Sequence, residues 1–67
     1  MDIMSTLTAR EQEALRLLMA GKRRGEIAAE MCIERGTVKA YLRRARDKAG
    51  VGSTVELVAK VAREVGE

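Results

Sequence analysis

The stretch GEIAAEMCIERGTVKAYLRRARDKAG, Gly25 to Gly50, decides how this chain folds. Ile27, Ala28 and Met31 fall at i, i+1 and i+4, which makes one apolar stripe on a short helix of about Gly25 to Met31. Val38, Leu42, Ala45 and Ala49 then recur at spacings of four, three and four, the buried stripe of a longer helix over about Arg35 to Ala49. Cys32 to Gly36 hold the turn between them. Ile33 is apolar inside that turn and is expected to plug the angle between the helices. Ala28 is small enough to let them cross closely. Two helices joined by about four turn residues have the spacing of a helix-turn-helix unit, whose second helix enters the major groove of DNA.

Working outward, Thr8-Ala9-Arg10-Glu11 is a capping box. It opens a helix over about Ala9 to Ala20, which Gly21 ends by supplying a left-handed stop. Leu7 stands where a hydrophobic staple would, facing Gln12's turn or Leu15. On the other side, Ser53-Thr54-Val55-Glu56 is a second box, opening a helix over about Thr54 to Val65. That last helix has more apolar positions than one face needs. Val55, Val58, Ala62 and Val65 form one stripe, and Leu57 and Val61 another. One stripe docks on the domain and the other meets a partner. The expected architecture is all-α, with four helices in a single domain over 1–67 and its core over about 7–65. Met1 to Leu7 reads as a short lead-in.

A chain of 67 residues buries only about 60% of the surface its unfolded form exposes, so its core is thin. The absence of proline and the abundance of Ala, Leu, Glu, Arg and Lys favour helix throughout. Cys32 is the sole cysteine, so no internal disulfide forms, and it is read as a small buried hydrophobe. With no histidine and one cysteine, neither a zinc site nor any other cofactor is expected. The same poverty of nucleophiles and bases argues against an enzyme. No apolar run nears the about 20 residues that cross a bilayer, and a cytoplasmic location is expected.

The net charge of +3 is unevenly spread. Lys22 to Lys48 hold nine basic and four acidic residues, a local excess of +5, while the rest of the chain carries −2. Such a concentration suits a phosphate-binding footprint, though charge alone equally describes a solvated helix face. Lys39, Arg43 and Arg46 fall on adjoining positions of the long helix, forming a basic stripe opposite its apolar one.

The whole pattern resembles the LuxR-type (GerE-like) helix-turn-helix domain. The likeness begins with Leu7-Thr8-Ala9-Arg10-Glu11-Gln12-Glu13-Ala14-Leu15-Arg16-Leu17-Leu18 and Gly21. It continues in register through Glu26-Ile27-Ala28, Ile33, Thr37-Val38-Lys39, Leu42, Lys48, Gly50-Val51 and Glu56-Leu57-Val58. The resemblance covers about Leu7 to Ala62. It implies a four-helix domain whose third helix reads DNA and whose fourth pairs two copies. By position it implies base contacts from Lys39, Ala40 and Arg43, and phosphate contacts from Thr37 and Lys48. Lys22, Arg23 and Arg24 lie where backbone contacts are usual. Tyr41, Arg44 and Arg46 are further phosphate-contact candidates.

Some positions depart from the family pattern. Glu34 and Arg23 replace the hydroxyl caps of the third and second helices, and glutamate and arginine cap poorly. Tyr41 replaces a common histidine, Ala49 a common leucine and Thr54 a common arginine.

The expected function is sequence-specific binding of double-stranded DNA in transcription regulation. The expected partner besides DNA is a second copy, met through Val58, Val61, Ala62 and Val65, so that an inverted-repeat site is the target. A competing reading is a protein-interaction module that binds a polymerase subunit or another regulator with little DNA preference. The initial methionine and the unbroken start favour a stand-alone regulator over an excised output domain.

Overall fold

In the computed structural model, which describes residues 2–66 and only the backbone of Val65, the described residues form five helices. These are α1 (Ile3–Thr6), α2 (Ala9–Met19), α3 (Arg24–Met31), α4 (Arg35–Ala49) and α5 (Thr54–Val65). Four of them are the expected helices, within a residue of the expected bounds. The fold class is all-α, as read from the sequence.

The addition is α1, in the stretch read as a lead-in. Asp2 starts this single turn by accepting the Ser5 N–H at 2.9 Å. Ile3 and Leu7 are buried and pack with Leu15, Leu57 and Val61. Glu64 Oε1 accepts the Ile3 N–H at 2.9 Å, and Gln12 Nε2 donates to the Met4 carbonyl at 2.7 Å. The turn is too short to form alone, and helices α2 and α5 hold it.

Caps set most of the other boundaries. Thr8 Oγ1 accepts the Glu11 N–H at 3.2 Å, and Glu11 Oε1 accepts the Thr8 N–H at 3.0 Å, completing the capping box of α2. Gly21, at φ +91°, ends α2 in a Schellman arrangement, with Lys22 N–H donating to the Leu17 carbonyl at 3.1 Å. Arginine offers no acceptor at the start of α3. There Glu26 Oε1 accepts the Arg23 N–H at 2.7 Å, which keeps half of a capping box. Glu34 makes no side-chain cap to α4, as its geometry predicts. Ser53 Oγ accepts the Glu56 N–H at 3.2 Å and fixes the start of α5.

Cys32 corrects the sequence reading. It is exposed, not buried. It sits at φ 57°, ψ 45° as the left-handed cap of α3, where Ile33 N–H reaches back to the Ala28 carbonyl at 2.9 Å. A non-glycine residue in this region carries a conformational cost of about 1 kcal/mol.

The core has two lobes, and α2 and α4 run through both. Ala14, Ile27, Ala28, Met31, Val38 and Leu42 fill one, with Ile33 and Tyr41 packed at its edge. Ile3, Leu7, Leu15, Ala45, Ala49, Leu57 and Val61 fill the other. Leu15, Ile27, Leu42 and Leu57 are each at least 99% buried, and burial of such a side chain contributes about 1.5–3 kcal/mol. The stripe Val38, Leu42, Ala45 and Ala49 is buried throughout, so α4 is clamped along its full length.

Candidate nucleic-acid interface

The clamped stripe of α4 leaves its outer side to solvent. Lys39 and Arg43 are exposed there, one turn apart, and Ala40 is half-buried between them. Neither cation lies within ion-pair distance of an acid among the described residues. Arg44 is exposed as well, and Thr37 is half-buried in the first turn. Lys22, Arg23 and Arg24 are exposed on the connector that leads into α3. Helix α3 packs on α4 through Ile27, Ala28 and Met31, and Gly25, next after this connector, lies beside the Arg35 side chain at the start of α4.

Three predicted contact residues are engaged inside the molecule. Arg46 is half-buried, and its Nη1 donates to Thr54 Oγ1 at 3.1 Å. It therefore belongs to the seam between α4 and α5, and the basic stripe of Lys39 and Arg43 does not extend freely to it. Tyr41 is half-buried and packs against the Ile27–Leu42 lobe, so its ring serves the core. Lys48 Nζ lies 2.7 Å from Glu11 Oε1.

That last pair is the feature that pattern reading missed. Glu11 is 97% buried, yet it is satisfied by Thr8 and Lys48. Burial by itself pushes the Glu11 carboxyl up. The Lys48 hydrogen bond, the Thr8 N–H, the Lys48 charge and the Thr8 hydroxyl together outweigh it and hold the carboxyl below its ordinary value. The only trace in the sequence is the capping box, which accounts for Glu11 locally and gives no reason to seek a partner 37 residues away.

The two stripes of α5 separate cleanly. Leu57 and Val61 face the core and are at least 99% buried. Val61 is therefore corrected from its place among partner-facing residues. Val58 is half-buried and Ala62 exposed, and the Val65 side chain lies outside the described residues. Val55, absent from the expected contact set, is 79% exposed. With Leu18, Thr54, Val58 and Ala59 it lines an open groove of about 410 Å³. An apolar residue at the second position of a helix, on the stripe shared with Val58, is the signal that would have found it.

Residues 5–61 match the model of the GerE family, described as bacterial regulatory proteins, luxR family. The chain belongs to the luxR family. No curated protein and no solved structure matches it. Members of the luxR family bind DNA and regulate transcription, and this domain is of that kind. The match covers all of α2, α3 and α4 and most of α5. No described helix of this luxR-family domain is long and apolar enough to cross a membrane.

Proposed function

We propose that this domain binds specific double-stranded DNA sites as a homodimer, with α4 lying in the major groove. The observation that carries the reading is the pairing of two faces on α4: Val38 and Leu42 are at least 99% buried, while Lys39 and Arg43 stand exposed and unpaired among the described residues. Lys39 and Arg43 donate to guanine O6 and N7, and the Ala40 methyl meets a thymine methyl. Lys22, Arg23, Arg24, Thr37 and Arg44 hold phosphates and set the register. Lys48 has room for a phosphate as well, since its side chain is 36% exposed beside Glu11.

One such domain makes few contacts, so its affinity is low and falls steeply with salt. Pairing through the exposed face of α5, along Val55, Val58 and Ala62, supplies a second recognition helix about 34 Å away and selects an inverted repeat. Selection of bound sequences from a random duplex pool tests the whole reading. The expected yield is a two-fold symmetric motif with half-sites one helical turn apart. Recovery of unenriched sequence would leave the interaction-module reading in its place.

A further inference from the structure

Arg35, the first residue of α4, stands apart from the residues so far given a role at the DNA face. It is exposed, and it has no acid within ion-pair distance among the described residues. Its helical spacing puts it on one flank with Lys39 and Arg43, at intervals of one turn. Its guanidinium lies over Gly25: a Cβ built on that glycine would be 3.7 Å from Arg35 Nε and 3.8 Å from Arg35 Cζ. Gly25 follows directly on Lys22, Arg23 and Arg24. Arg35 thus sits where the basic flank of α4 meets the basic connector before α3.

We infer that Arg35 is a phosphate-binding residue that joins these two basic surfaces into one continuous DNA-backbone track. Like charges gathered at one place repel each other, and no acid among the described residues forms an ion pair with Arg35, Lys39 or Arg43. A polyanion relieves that repulsion. The planar guanidinium suits bidentate contact with a phosphate, and its place beside Gly25 sets it next to the basic connector. A contact at this place orients α4 along the groove without reading sequence. The inference rests on α4 facing DNA, and the experiment below separates the two.

The test is binding of the full chain to a random-sequence duplex and to a selected duplex, each over a series of salt concentrations. Arg35→Gln is expected to lower the slope of log K against log salt by about 0.9 on both duplexes, one phosphate's worth, with base preference unchanged. Arg35→Lys is expected to restore the slope. Circular dichroism verifies that both variants remain helical. An unchanged slope in Arg35→Gln overturns the inference, and so does a change in base preference confined to one position, which would make Arg35 a base reader. Lys39→Ala serves as the reference. If it weakens specific binding while Arg35→Gln changes nothing, only the Arg35 role fails. If neither variant changes binding, the placement of α4 on DNA fails with it.

Discussion

Lys48 Nζ lies 2.7 Å from Glu11 Oε1 and ties the last turn of α4 to the first turn of α2. Helix α4 is therefore held at its C-terminal end by a charge pair on a nearly buried carboxylate, and along its length by apolar packing. The same carboxylate accepts the Thr8 N–H, so one side chain closes a helix cap and a tertiary contact together.

Removing Lys48 leaves the Glu11 charge with only the Thr8 groups. Lys48→Met is expected to lower stability by about 1–2 kcal/mol, less than for a fully enclosed pair because Lys48 is partly exposed. The pair also sets a pH dependence. The Glu11 carboxyl titrates lower in the folded state than its ordinary 4.5, so its contribution is complete above that value and is lost as pH falls through the folded value. Urea denaturation from neutral pH down to about pH 3 is expected to show stability falling at the acid end. Glu11→Gln is expected to flatten that fall. An equal acid loss in wild type and Glu11→Gln would show that other groups govern it.

Cys32 carries a backbone conformation that suits glycine or asparagine. Cys32→Asn is expected to leave stability unchanged or raise it slightly. Cys32→Val is expected to cost about 1 kcal/mol or more, because a β-branched residue fits the left-handed region poorly. Thermal unfolding distinguishes the two, since about 1 kcal/mol shifts the Tm of a domain this small by about 4–8 °C. A buried hydrophobe would show the reverse order.

On α5, neighbouring valines are expected to behave oppositely. Val61→Glu places a charge in the core beside Leu57 and is expected to unfold the domain, as buried unpaired charges do. Val55→Glu changes a side chain that is 79% exposed and is expected to shift monomer stability by less than about 0.5 kcal/mol. It is nonetheless expected to lower the dimer fraction in sedimentation equilibrium. If Val55→Glu leaves self-association untouched, the exposed face of α5 is not the pairing surface.

On the proposed DNA-reading side of α4, Lys39→Ala and Arg43→Ala are each expected to cost about 1–3 kcal/mol of specific binding, with relaxed base preference and an unaltered Tm. Arg46→Ala is expected to show the contrary profile. Its hydrogen bond to Thr54 is internal, so a small loss of stability should appear with little change in specificity. Fluorescence titrations against the selected duplex, paired with thermal melts, measure both quantities. A specificity loss in Arg46→Ala equal to that in Arg43→Ala would return Arg46 to the reading stripe.

The four main helices and the buried stripe of α4 were legible in the sequence because their causes are local. Apolar spacing selects the helical period, Thr8 and Ser53 supply acceptors for first-turn N–H groups, and Gly21 and Gly50 take left-handed ends. Each depends on residues within about one turn. The exposed positions of Lys39 and Arg43 follow from the same periodicity, once Val38 and Leu42 are assigned inward.

Contacts across the chain were decided only by the tertiary structure. Periodicity could not tell which stripe of α5 turns inward, since both Leu57/Val61 and Val55/Val58 have helical spacing; the shape left by Ile3, Leu7, Leu15 and Ala49 selects the first. Helix α1 is too short to be stable without α2 and α5. The partners of Lys48 and Arg46 are residues of other helices, Glu11 and Thr54, 37 and 8 positions away, where a sequence shows charge and length but not approach. The sequence by itself thus determined that α4 is a basic helix with one apolar side. Folding decided which of its cations are held within the molecule, because Glu11 and Thr54 engage Lys48 and Arg46 while no described acid reaches Lys39 or Arg43.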